Sequence, residues 1–136
     1  MEAARQRTSV VTTLAFDQRA NAATRTPSQI RRDAVNTANL RTLKAAAVTI
    51  AIGSDNNRGT SRSEALYLSD LAVWSNLELL KVLSEATPSL IFPKRKIGAL
   101  RDGYEASFVV LEQDPLQDFA NVVRITRRVK QGHLLP

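Results

Sequence analysis

The stretch Ala47 to Asn56, AVTIAIGSDN, decides the fold that this sequence predicts. Its first part, Val48 to Gly53, is rich in β-branched residues and ends in glycine, which predicts a short strand buried on both faces. Ser54 and Asp55 follow the strand at once. In α/β proteins, side chains just past the carboxyl end of a strand lie where active sites are built. Asp55 is therefore a candidate catalytic residue, and the alternative is that it only caps or turns the loop 54–60.

A strand and a helix precede this stretch. Thr8 to Ala15 has the β-branched density of a strand. A helix start is marked by Thr26 as N-cap, Pro27 at the first helical position and Gln29 at capping-box spacing. The order strand, helix, strand predicts one βαβ unit. The residues that we expect on the buried stripe of the helix are Ile30, Ala34, Ala38, Leu43 and Ala47.

Two further helices are predicted after the loop. Ser61 with Glu64, and Ser75 with Glu78, both have capping-box spacing. Pro88 and Pro93 bracket a short apolar segment, Ser89 to Phe92, that we expect to form at most one helical turn.

The pattern changes from Lys96 onward. A turn at Asp102 and Gly103 precedes an apolar strand at Ala106 to Leu111, and a second strand is predicted at Val122 to Lys130, before a turn at Gly132. Strands without long intervening helices indicate an antiparallel sheet. We therefore divide the chain near Pro93 to Ile97, into residues 1–95 and residues 96–136.

Composition excludes several kinds of site. The 136 residues contain no cysteine and a single histidine, His133, so disulfides, thiol nucleophiles and multi-histidine metal sites cannot be built from this chain alone. No apolar run is long enough to cross a bilayer, and no signal-peptide core is visible, so we expect a cytoplasmic protein without a membrane partner. The net charge of +6 lies in the first half. Nucleic-acid binding is disfavoured because aromatic residues for base stacking are scarce there.

Three stretches resemble the amidohydrolase superfamily of metal-dependent hydrolases, and they follow one another along the chain in the order of the family. Ala47 to Asp55 is similar to the family pattern G-V-x-I-A-I-G-T-D, and Val123 to Gly132 is similar to a closing strand pair, V-x-x-V-x-x-G. The middle pattern, I-G-x-L-x-x-G-x-E-A-D-F-V-V-L-x-x-x-P-L, is matched by Ile97, Gly98, Leu100, Gly103, Glu105, Ala106, Phe108 to Leu111, Pro115 and Leu116. The chain departs from these patterns at Ala47, where glycine is usual, and at Ser107, where aspartate is usual.

The resemblance implies an α/β fold: the last βα units of a partial TIM-like barrel in residues 1–95, then C-terminal strands of a composite β-sandwich in residues 96–136. Thr8 to Ala15 would be the penultimate barrel strand and Val48 to Gly53 the last. Asp55 would bind or neighbour a divalent metal, zinc by expectation, and take the proton of the metal-bound water that attacks the substrate.

The resemblance also implies what this chain lacks. The other metal ligands of the family, mostly histidines, belong to strands upstream of any residue present here. We therefore expect a C-terminal segment of a hydrolase that acts on carbon–nitrogen bonds of non-peptide, cyclic-amide or dipeptide-like substrates, and that is inactive and binds no metal alone. The alternative is a non-catalytic association module or truncated product that pairs with itself or a complementing chain, because a partial barrel leaves open strand edges.

Overall fold

The computed structural model describes residues 5, 6, 8–17, 25–55 and 60–136. The chain forms two compact units, Met1–Trp74 and Ser75–Pro136. The helical segment between Ser75 and Pro93 therefore belongs to the same unit as the C-terminal strands. The assignment of residues 1–95 and 96–136 to different domains of a longer protein stays a prediction.

The first unit contains the βαβ arrangement that the sequence predicts. Strand β1, Val10–Thr12, pairs in parallel with β2, Ile50–Ile52, and helix α1, Pro27–Ala45, lies between them in the chain. Both strands are shorter than predicted. All three residues of β2 are buried, between 0% and 6% exposed, as expected for a strand covered on both faces.

Helix α1 begins where its capping signal predicts. The Thr26 side chain accepts a hydrogen bond from the Gln29 backbone N–H, and the Gln29 side chain accepts one from the Thr26 N–H. The predicted buried stripe is wrong, however. Ile30 is 58% exposed, and the buried residues of this helix are Asp33 and Leu40. The buried face carries a charge because Asp33 has cationic and hydroxyl partners, described below.

Helix α2, Ser61–Asp70, also begins differently from its prediction. Its N-cap is Thr60, whose hydroxyl accepts the Arg62 N–H, and not Ser61. Glu64 consequently lies one position past the capping-box site, and its side chain turns into the core, where only 2% of it is exposed. Two other residues of the helix, Ala65 and Leu68, are fully buried.

The helical part of the second unit is longer than predicted. Helix α3, Asn76–Lys81, starts with the predicted capping box of Ser75 and Glu78. It then continues through a π-helical turn, Val82–Ala86, into α4, Thr87–Ile91. The segment Ser89 to Phe92 contributes less than one turn, as predicted, but its first three residues are the end of this longer helix and not a separate turn. The wide turn accommodates the proline ring, and the Thr87 hydroxyl donates to the Val82 carbonyl inside it.

Three antiparallel strands complete the second unit, of which the sequence analysis predicts the first two and the antiparallel arrangement. Strands β3, Phe108–Leu111, β4, Ile125–Lys130, and β5, His133–Leu135, lie in that order in the sheet. Gln131 and Gly132 form the predicted turn with φ values of 52° and 80°, as a two-residue hairpin requires. The predicted strand from Val122 begins later, because Phe119–Val123 forms a 3₁₀ turn.

Candidate functional site

Asp55 lies at the carboxyl edge of the parallel strand pair. It is the third residue after β2, and the segment after β1 leaves the sheet at the same edge because the two strands are parallel. The Gly53 N–H donates to the Thr12 carbonyl at 2.8 Å, which holds the two strand ends together. A Cβ on Gly53 would lie 2.9 Å from Cγ1 of Val11, so a larger residue here would displace the half-exposed Val11 side chain.

The Asp55 side chain does not pack in the core. The side chain is exposed, and its φ of 45° is in the left-handed region, which non-glycine residues adopt at a cost. Aspartate adopts this region in turns more readily than most residues, so the conformation fits the turn-forming alternative as well as a functional role. Residues 56–59 of the loop that Asp55 was alternatively expected to cap lie outside the described residues.

A second carboxylate, Glu64, lies at the same edge and was missed as a site residue. The Ala15 N–H, in the turn that follows β1, donates to Glu64 Oε2 at 2.6 Å. The other oxygen, Oε1, is buried without a hydrogen-bond partner among the residues that the structure describes. The sequence contains a signal, an acidic residue near a helix start, but this residue was interpreted as part of a capping box.

A buried polar cluster joins α1 to α2. The Tyr67 hydroxyl donates to Asp33 at 2.6 Å and accepts from the Asn36 amide at 2.9 Å. Burial and the hydrogen bond to Asp33 raise the pKa of Tyr67 to about 12. Arg25 pairs with Asp33 at 3.0 Å and with Asp70 at 2.9 Å. These contacts join the two helices, although within the described residues the buried Arg25 Nε has no hydrogen-bond partner.

The donor set of this chain does not fit a catalytic metal. Within the described residues, no three His, Cys, Asp or Glu side chains come together to hold an ion. The single histidine, His133, is exposed on β5 in the other compact unit. Asp55 could contribute one ligand, and the remaining ligands would have to come from residues that this chain does not supply.

The second unit has a concave surface that encloses a volume of about 700 Å³. Its walls come from α3, α4, the segment before β3 and the sheet, and include Leu80, Pro88, Ile97, Phe108 and Val129. Arg128 and two serines supply its polar lining. Without an acidic or histidine side chain in its lining, this surface has no group suited to proton transfer.

These features define the class of the protein: an α/β chain in which a parallel βαβ unit carries a carboxylate at its strand-end edge, followed by a small antiparallel sheet. No protein-family model matches the chain. Among curated proteins, it is 35% identical over 94 residues to the ochratoxinase of Aspergillus niger. The match covers 65% of this chain and 20% of the ochratoxinase, so the chain spans about a fifth of this relative's length.

Solved structures agree with the sequence match. The A. niger ochratoxinase superposes with a TM-score of 0.76 and 25% identity, over 97% of this chain and 32% of that one. An amidohydrolase gives a TM-score of 0.76 at 21% identity, over 98% of this chain and 36% of that one. A putative prolidase of Bifidobacterium longum gives 0.73 at 20% identity, over 94% and 35%. The last two structures, at 21% and 20% identity, show only that the fold is shared. The resemblance to part of the amidohydrolase superfamily is therefore confirmed.

No helix in the described part of the chain is both long and apolar enough to span a membrane.

Proposed function

We propose that the chain is the C-terminal segment of a metal-dependent hydrolase that cleaves carbon–nitrogen bonds. Asp55 is the observation that carries the proposal, because it follows a fully buried strand of a parallel pair at the edge where such enzymes build their sites. The ochratoxinase match supports the reaction class, and the amidohydrolase and prolidase structures share the fold. The substrate would be a small molecule with a non-peptide, cyclic or dipeptide-like amide bond.

In this proposal, β1 and β2 are the last two strands of a partial TIM-like barrel, and β3, β4 and β5 belong to a composite β-sandwich. The parallel pairing of β1 with β2 supports the first part, and the antiparallel order β3-β4-β5 supports the second. A closed barrel needs about eight strands, so other residues must complete it.

Asp55 would be both a metal ligand and the proton acceptor of the complete enzyme. A divalent metal, zinc by our proposal, supplies an activated water in such enzymes. The ligand set of this chain is too small for that ion, as described above. We therefore propose that the isolated chain binds no catalytic metal and does not hydrolyse amides.

A chimera tests this proposal. The chain is expressed alone and also in place of the matching part of A. niger ochratoxinase, and both proteins are assayed for bound zinc and for hydrolysis of the ochratoxinase substrate. We expect zinc and activity in the chimera only. In the chimera, Asp55→Asn should lower kcat by about 10²–10⁴-fold, the usual contribution of a general base.

Asp102→Asn is the matched control, since Asp102 is exposed in the turn that precedes β3 and should leave kcat unchanged. Zinc-dependent hydrolysis by the isolated chain would contradict its proposed inactivity. A chimera that binds zinc and keeps its activity after Asp55→Asn would contradict the role of Asp55.

The second candidate is a non-catalytic module that associates with its own copies or with a complementing chain. Exposed apolar side chains on and around the sheet support it, among them Leu100, which is 80% exposed, and Leu134, which is 65% exposed. In the described residues, β3 pairs with β4 alone, which leaves one edge of this strand open. A chain that stays monomeric at high concentration would count against this candidate.

A further inference from the structure

Glu64 is an unusual residue for the core of a small α/β unit. It is among the largest fully buried side chains, together with Ile52, Leu68 and Leu79. One carboxylate oxygen accepts the Ala15 N–H, and the other has no hydrogen-bond partner in the part of the chain that the structure describes. Buried carboxylates are costly, and each unsatisfied oxygen calls for a reason.

Helix capping does not supply the reason. The N-cap of α2 is Thr60, whose hydroxyl accepts the Arg62 N–H without help from Glu64. Packing alone does not supply it either, because an apolar side chain of similar volume would fill the same space without the desolvation cost.

The position of Glu64 in the chain indicates what it does. Ala15 lies in the turn Leu14–Asp17, directly after β1, and α2 is the helix that follows the loop carrying Asp55. The contact between Ala15 and Glu64 therefore ties together the two segments that leave the parallel strands at their carboxyl edge.

We infer that Glu64 is a positioning residue: its carboxylate sets the distance between the segment after β1 and the segment after β2, and so orients the edge that carries Asp55. The effect of Glu64 on catalysis rests on the proposed function, whereas its contact with Ala15 is independent of that proposal. Small displacements of catalytic groups lower rates steeply, since reacting atoms must meet in a narrow range of geometries.

Amide hydrogen exchange on the 136-residue chain tests the contact. Glu64→Ala should accelerate exchange of the Ala15 amide about tenfold relative to the β2 amides, the effect of losing one hydrogen bond. Glu64→Gln keeps an acceptor oxygen and should stay close to the wild-type rate. Glu85→Ala, at an exposed glutamate, is the matched control and should change the exchange rate of neither the Ala15 amide nor the β2 amides.

Three results would overturn the inference. An Ala15 amide that is unprotected in the wild-type chain would mean that the contact does not form. Equal protection in Glu64→Ala and the wild type would mean that it holds nothing in place. A uniform acceleration over all amides of the unit, in Glu64→Gln as well as Glu64→Ala, would mean that Glu64 contributes only to global stability.

The chimera with ochratoxinase supplies the catalytic readout. Glu64→Ala should lower kcat about tenfold or more while KM and bound zinc stay close to those of the parent chimera, and Glu64→Gln should restore most of the rate. A fall in bound zinc or a purely KM effect would contradict a positioning role. If the parent chimera is inactive, the proposed function fails, and the exchange experiment still decides whether Glu64 fixes the edge.

Discussion

At the scale of single residues, the backbone of Ala47 is strained. Its φ is 53°, at the junction between α1 and β2, and alanine pays about 1 kcal/mol for the left-handed region. Ala47→Gly should therefore raise the free energy of unfolding by about 1 kcal/mol, measured by urea denaturation. Ala34→Gly, at an exposed position inside α1, is the matched control and should lower it by about as much.

Opposite signs for these two substitutions would confirm that backbone strain, and not glycine flexibility, decides the effect at Ala47. A loss of stability from Ala47→Gly would contradict the left-handed conformation.

Gly98 is required for a different reason, which is space. A Cβ at this position would lie 2.1 Å from the Ser84 carbonyl oxygen, and the φ of 90° is itself unfavourable for an L side chain. In a regular helix the Ser84 carbonyl would accept from the N–H of residue 88, but Pro88 has none. Gly98 packs against this carbonyl instead. Gly98→Ala should cost more than about 3 kcal/mol in unfolding free energy, because backbone must move.

Gly103→Ala separates the two contributions. Gly103 has a similar φ of 76°, but a Cβ there would meet nothing within 4 Å. Its substitution should cost only about 1 kcal/mol, the strain of the left-handed region. Equal losses in the two variants would refute the steric explanation for Gly98.

Residue-level prediction from sequence succeeded where a local rule acts alone. The Thr26 and Ser75 caps depend on neighbours three residues away, and both formed as predicted. The sequence also identified Asp55, from its position after a strand, but its catalytic role stays a proposal. Glu64 could not be recognised, because its partner, Ala15, is 49 residues away and only the fold brings them together.

At the scale of elements, Glu105 joins the segment before β3 to the preceding turn. Hydrogen bonds from Arg95 and from the Ser107 hydroxyl hold the pKa of Glu105 at about 2, below the ordinary 4.5. A carboxylate with a lowered folded-state pKa stabilises the fold above about pH 4.5, and this contribution is lost as the pH falls toward 2.

Arg95→Ala should move the pKa of Glu105 upward toward 4.5, because the first of its hydrogen bonds is removed. An NMR titration of the Glu105 carboxyl carbon measures the shift directly. Arg101→Ala, which removes an exposed arginine four residues before Glu105 in the sequence, should leave the titration unchanged. An equal shift in both variants would mean that general positive charge, and not the Arg95 contact, lowers the pKa.

Element types were predicted better than element bounds. The β-branched runs identified β2 and β3, but strand ends depend on pairing partners, which sequence does not list. The helix through Pro88 was missed, because a π-turn inside a helix has no local signature. The buried face of α1 was misjudged, since Asp33 enters the core only in the presence of Arg25 and Tyr67.

At the scale of the whole molecule, the described residues leave a large amount of apolar surface uncovered. Most side chains of β3 are exposed, by 38% to 50%, and the strand has four apolar residues without a charge. Edge strands of this composition are templates for pairing with another chain. The enzyme-segment and association proposals both follow from this feature, since each requires further residues to cover it.

Val109→Lys tests this requirement in the isolated chain. Val109 is 50% exposed, in the middle of β3, and a lysine there should oppose edge-to-edge pairing by charge and hydration. We expect the wild-type chain to show concentration-dependent association by size-exclusion chromatography with light scattering, and Val109→Lys to reduce it. Gln113→Lys adds the same charge to an exposed position just beyond the strand and should have little effect. An unchanged mass for Val109→Lys, or an equal reduction in both variants, would exclude the β3 edge as the surface of association.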